Sequence, residues 1–305
     1  MGRLMRRIVA LLVIAGFAGA GVTAQVFRAD VDTVYLSVTV SDARGNPVPV
    51  LDRSAFLVFE DGVAQDIKTF ASDPQPIALS LLIDSSTSME SKIAVAEEAA
   101  IGFAHQIGQS DVAQVIDFND DTQIRQTFTN DVVALEHAIR QIRPGGSTAL
   151  YTAIYVALSE LKAVRMNSSG TVRRQAVIVL SDGEDTNSVL SYDALMELAK
   201  QSDVAVYSIG LREKRAGGQR EFQTSDFVLR TLAQTTGGRA FFVEDTTQLR
   251  GVYSQIADEL ANQYLVGYVS KNQKRDGIWR QVAVRVTRPE TTTRTRSGYF
   301  ASHSK

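Results

Sequence analysis

The spacing of apolar residues changes period twice along this chain. Between Val31 and Ser41, Val34, Leu36, Val38 and Val40 alternate with Tyr35, Ser37 and Thr39, the two-residue period of a half-buried strand. Gly45-Asn46-Pro47 reads as a turn. Phe56 to Glu60, Asp61-Gly62 and Val63 to Phe70 predict a β-hairpin with an Asp-Gly turn. After the linker-like Ser72-Asp-Pro-Gln-Pro76, short apolar runs alternate with helical periodicities. Strands are predicted over 77–83, 112–118, 122–128, 175–180, 204–209 and 239–243, and helices over 90–108, 131–142, 149–165, 192–201, 226–235 and 246–262. The 112–118 and 122–128 strands are expected to form an antiparallel edge pair around Asn119-Asp-Asp121. Residues 212–224 read as an exposed basic loop. From Gln263 the period returns to two, with strands at Tyr264 to Tyr268, Val282 to Val286 and Gly298 to Ala301.

Alternating strands and helices predict an α/β fold: a doubly wound, mostly parallel sheet flanked by helices. Neither flanking β piece is long enough to bury a core alone. The expectation is that they complete one another, so that the α/β part is inserted in a small discontinuous β domain. The expected divisions are 1–24, 25–75, 76–262 and 263–305.

The first of these looks like an export signal. Arg3, Arg6 and Arg7 precede an uncharged apolar run from Ile8 to Ala20, and Val22-Thr23-Ala24 offers small residues before a cut at Gln25. A retained anchor is the competing reading, because Ile8 to Val26 just reaches the length of a short span. Cleavage would leave no stable membrane span. Either way the working location is outside the cytoplasm: periplasm, cell surface or secreted.

Composition narrows the chemistry. The 305 residues carry a net charge of -2, which argues against a nucleic-acid binder. There is no cysteine, hence no disulfide, thiolate metal site or cysteine nucleophile. Lys271, Lys274, Arg275, Arg280, Arg285, Arg288, Arg294 and Arg296 gather near the C-terminus. They read as a solvated edge-sheet face rather than an anion-binding patch. His105, His137 and His303 fall in two helix patterns and the tail and make no triad.

The most concentrated polar chemistry follows the strand at 77–83. Asp84-Ser-Ser-Thr-Ser88 puts one carboxylate and four hydroxyls between a buried strand and a helix, where open α/β sheets bind ligands. A helix cap is the bland alternative, but one such residue suffices for capping. Gly145-Gly146-Ser147-Thr148 and Ser181-Asp182-Gly183 end on the same predicted rim. Glu184 and Asp185 beside the latter read as solvated loop acids, and Asn119 to Asp121 as a hairpin turn.

Asp84-x-Ser86-x-Ser88, Thr148 after Gly-Gly-Ser, and Asp182 before Gly183 resemble the von Willebrand factor type A (VWA) domain over about residues 76–262. The resemblance implies that Asp84, Ser86, Ser88, Thr148 and Asp182 form a metal-ion-dependent adhesion site (MIDAS). More of the chain is similar to a bacterial exported subgroup. That similarity rests on Val40-Ser-Asp-Ala-Arg-Gly-Asn-Pro-Val48 and Phe56-Leu-Val-Phe-Glu-Asp-Gly62, and on Gln263-Tyr-Leu-Val-Gly-Tyr268 and Arg296-Ser-Gly-Tyr-Phe300. Oxygen ligands without His or Cys suit Mg²⁺, with Ca²⁺ or Mn²⁺ possible. The implied function is metal-dependent protein binding or adhesion in the bacterial envelope, through a partner's Asp or Glu carboxylate, without catalysis. A Mg²⁺-dependent phosphatase-like hydrolase would need a second Asp as general acid where Ser86 stands. No serine-hydrolase elbow is present. A scaffold with a vestigial metal site is the third reading.

Overall fold

The computed structural model describes residues 33–167, 174–183, 185–212 and 224–303. The signal expected over 1–24, residues 213–223 of the expected basic loop, and Glu184 lie outside these. The described residues belong to one compact unit.

Its centre is a six-stranded sheet in the order β10-β9-β8-β5-β6-β7. The strands are β5 (Ile77–Asp84), β6 (Val112–Phe118), β7 (Thr122–Thr129), β8 (Arg174–Ser181), β9 (Ala205–Leu211) and β10 (Ala240–Val243). All neighbours are parallel except β6 and β7, which form an antiparallel edge. Every residue of β5 and β8 is buried, as central strands covered on both faces must be. Alternation along β5 then feeds two cores. Leu79, Leu81 and Ile83 pack with α1 (Ile93–Ala104), α2 (Val132–Arg140) and α6 (Leu249–Ala261). Ala78 and Leu82 pack with α3 (Leu150–Asn167), α4 (Tyr192–Gln201) and α5 (Thr224–Thr236). The helix after β5 and the helix after β8 thus lie on opposite faces. The adjacent carboxyl ends of β5 and β8 therefore flank a topological switch point.

The remaining strands form two antiparallel four-stranded sheets, ordered β13-β1-β11-β4 and β14-β12-β2-β3. They are β1 (Thr33–Asp42), β2 (Phe56–Glu60), β3 (Val63–Gln65), β4 (Ile67–Ala71), β11 (Tyr264–Val269), β12 (Trp279–Val286), β13 (Thr291–Arg294) and β14 (Gly298–Phe300). β1 pairs with β11, Leu36 opposite Val266, and β2 pairs with β12, Val58 opposite Val284. Val34, Leu36, Val38, Val58, Tyr264, Val266 and Val284 share one core across both sheets.

Two expectations need correction here. The expected hairpin strand 63–70 is broken at Asp66: β3 stays with β2, but β4 crosses to pair with β11. The crossing places Phe70 and Phe56 against Tyr264, with ring centroids 5.9 and 4.9 Å away. The basic residues do not form one solvated face. Lys271, Lys274, Arg275, Arg285 and Arg288 are exposed, but Arg280 is buried against Glu60. Arg294 pairs with buried Glu259, and Arg296 with Asp203. These arginines cross-link segments distant in sequence, a contact that local pattern does not record. Among the described residues no helix is long and apolar enough to cross a membrane.

Candidate functional site

Three loops meet at the carboxyl rim of the central sheet. The first leaves β5 at Asp84, which is fully buried. Its Oδ1 accepts the Ser86 backbone N–H at 2.8 Å, and its Oδ2 accepts the hydroxyl of Ser181, the last residue of β8, at 2.5 Å. The Oγ atoms of Ser86 and Ser88 lie 3.1 Å apart. Ser88 Oγ donates to Asp182 Oδ1 at 2.6 Å, joining the first loop to the loop after β8. The other oxygen of Asp182 faces the Lys92 ammonium.

The middle loop, before α3, is bound to both. Gly145 N–H donates to Ser85 O at 2.8 Å, and Thr87 donates from both N–H and Oγ1 to Gly146 O, each at 3.0 Å. Thr148 N–H donates to Thr186 Oγ1 at 3.0 Å, while Thr148 O accepts from the N–H groups of Thr186 and Asn187. Thr148 is buried, and its own hydroxyl has no hydrogen-bond partner among the described residues. It stands 3.7 Å from where a Cβ on Gly183 would lie. Gly146 is required by its position: φ is +79°, and a Cβ there would come within 2.4 Å of Asp120 Oδ2.

The hydroxyl-rich segment does not cap the following helix. A 3₁₀ turn at Thr87–Met89 intervenes, α1 begins at Ile93 rather than Glu90, and its N-cap is Lys92 with no side-chain cap bond. The oxygens bond across loops instead. Among the described residues no three His, Cys, Asp or Glu gather as a metal-binding group. Here the carboxylates are Asp84 and Asp182, and the other side-chain oxygens are hydroxyls. Burial pushes the Asp84 carboxyl up to about 6. The Asp182 charge adds to the rise, while hydrogen bonds from Ser181 and Ser86 oppose it. Asp84 is thus a buried acid with no cationic side chain paired to it among the described residues, and the Thr148 hydroxyl, which has no hydrogen-bond partner among them, stands near Gly183 in the loop that follows Ser181. This donor set fits a hard divalent cation.

Several neighbours carry no sequence signal of their role. Ser181 adjoins Asp182, yet its hydroxyl serves Asp84. Lys92 reaches Asp182 across 90 positions. Asp120 is a turn residue whose Oδ1 accepts the Ser147 N–H at 2.7 Å and holds the middle loop. Asp185, expected as a solvated acid, is part of the framework instead. Its Oδ1 accepts from Tyr151 N–H at 3.0 Å and from Ser188 Oγ at 2.6 Å, satisfying a free donor in the first turn of α3. Asp185→Ala is expected to lower stability by about 1 kcal/mol, the usual loss for such a cap. A denaturant midpoint equal to wild type would show the contact to be idle.

Comparison with known proteins agrees with this architecture. The profile of the von Willebrand factor type A domain matches residues 79–255. A UPF0353 protein of Mycobacterium leprae is 25% identical over 217 residues, covering 65% of this chain and 64% of that protein. A UPF0353 protein of Mycobacterium tuberculosis is 24% identical over 216 residues, with the same coverage. The chain thus spans about 64% of the length of these curated relatives. Among solved structures, a von Willebrand factor type A protein from Catenulispora acidiphila superposes with a TM-score of 0.52 at 11% identity. That match covers 92% of this chain and 76% of that one, a likeness of fold. The six-stranded sheet with helices on both faces, and a profile match through most of it, show that this chain belongs to the von Willebrand factor type A domain family.

Proposed function

We propose that this protein is a divalent-metal-dependent protein-binding module of the bacterial cell envelope, an adhesion-type domain without enzymatic activity. Domains of this family typically mediate protein interactions or adhesion. The observation that carries the reading is the linkage of Asp84, Ser86, Ser88 and Asp182 on one rim, with the Thr148 hydroxyl near Gly183 of the same rim, and with Asp84 buried and lacking a cationic partner among the described residues. These five residues would hold Mg²⁺, and Ca²⁺ or Mn²⁺ suits the same oxygens. A bound ion would supply a Lewis-acidic position for an Asp or Glu oxygen of the partner protein.

The chain's own residues do the rest. Asp84 and Asp182 balance the cation's charge. Ser181 and the Ser86 N–H fix the Asp84 carboxylate, and the Thr87 bonds to Gly146 hold the first two loops together. The absence of a general acid where Ser86 stands supports a binding role over hydrolysis. Envelope location rests on the signal-like pattern of residues 1–24.

The test is affinity capture from a bacterial envelope extract, in Mg²⁺ and in chelator. A partner retained in Mg²⁺ and released by chelator is expected, and acidic peptides should compete for it. Retention indifferent to chelator, or turnover of common phosphoesters, would refute the proposal.

A further inference from the structure

Lys92 stands where helix electrostatics disfavours it. As N-cap of α1 it places a cation at the positive end of the helix dipole, and its side chain cannot accept from the free N–H groups there. Its ammonium is turned to Asp182 Oδ2. The Lys92 side chain is 16% exposed and that of Asp182 is 1% exposed, so solvent and salt screen the pair weakly. The other Asp182 oxygen holds Ser88 Oγ, and Ser86 Oγ is next in line. A fixed positive charge is therefore built into the oxygen cluster through a carboxylate that would hold a cation.

We infer that Lys92 is a resident counter-charge of the site: it weakens divalent-metal binding and makes the metal-loaded site a stronger acceptor of an anionic partner. The inference rests on the metal-site reading above and adds the residue that regulates it. The argument needs only a difference in charge. Whatever else surrounds the cluster, removing the Lys92 charge makes it more negative by one unit, with or without metal. A second cation then enters against less repulsion. By the same unit, the loaded site attracts a carboxylate less. Lys92 thus exchanges affinity for the ion against affinity for the partner's acid.

The test uses the full chain with Mn²⁺ as the metal probe, titrated by calorimetry. Acetate then probes the loaded site, read by loss of Mn²⁺-bound water relaxivity. Lys92→Met is expected to bind Mn²⁺ about tenfold more tightly and acetate several-fold more weakly, a modest effect for a unit charge at this range. Lys92→Arg keeps the charge and should match wild type for both. Lys92→Gln serves if the Met variant does not fold. Equal or weaker Mn²⁺ binding in the uncharged variants, with wild type binding normally, overturns the inference alone. An acetate affinity that does not fall overturns its second half. Uptake by neither wild type nor variants overturns the metal-site reading and this inference with it.

Discussion

Asp84→Asn is expected to reduce divalent-ion affinity by about 100-fold or more while the fold is retained, since a hard cation depends on ligand charge. The amide preserves the shape of the side chain at a position with no exposed surface. Its oxygen can still accept one of the two hydrogen bonds that Asp84 receives from Ser86 N–H and Ser181 Oγ. Stability should not suffer at neutral pH. Burial pushes the Asp84 carboxyl up to about 6, so its charged form is disfavoured in the folded metal-free chain. Removing that charge should leave the melting temperature of the metal-free protein equal or higher, and should abolish the increase that the proposed metal site predicts for wild type in Mg²⁺. Thermal melts with and without Mg²⁺, beside a calorimetric titration, separate these effects. Undiminished Mg²⁺ uptake by the variant would remove Asp84 from the site.

Glu60→Ala should cost about 3–5 kcal/mol, because it removes the buried carboxylate that pairs with the Arg280 guanidinium and leaves that cation only the part-exposed Asp276 and the carbonyls of Asn272 and Lys274. Arg280 and Glu60 are both buried, with Nη1 and Oε1 3.3 Å apart. Tyr268 and Tyr299 each donate a hydroxyl to Glu60 Oε2 at 2.9 Å, and Ser270 donates to Oε1 at 2.5 Å. Burial raises the Glu60 carboxyl, but the bonds from Ser270, Tyr299, Tyr268 and Arg280 together outweigh it and hold it below the usual carboxylate range. The sign for stability follows. A depressed carboxyl stabilises the fold fully above its unfolded value, and that contribution is lost as pH falls through the lower folded value. Wild type should therefore lose stability on the acid side of pH 4.5, the ordinary glutamate value, and Glu60→Gln should lose less over the same range. Urea midpoints against pH for the two proteins measure this. Parallel acid limbs would show that Glu60 does not carry the dependence.

The difference between the two clusters explains which was legible beforehand. The rim cluster is announced locally, since Asp84 to Ser88 form one short run and Thr148 and Asp182 each sit in a recognisable turn. The Glu60 cluster joins a β2 residue to groups more than 200 positions away, and its arginine looked like one of many surface cations. Asp185 shows the same limit at closer quarters. An acid in a polar loop reads as solvated until Tyr151 N–H is seen to need an acceptor.

By itself, the sequence determined the alternation that assigns strands and helices, the full burial of β5, and the oxygen-rich composition of the loop after it. These follow from side-chain periodicity and residue chemistry within a few positions. Tertiary structure alone decided that β4 leaves its hairpin for β11, that Ser181 rather than Asp182 holds Asp84, and that Lys92 neutralises Asp182 instead of solvating at a helix start. Those outcomes depend on which distant backbones lie side by side. Buried polar groups take whichever partner that packing brings within bonding distance, and no local pattern encodes the choice.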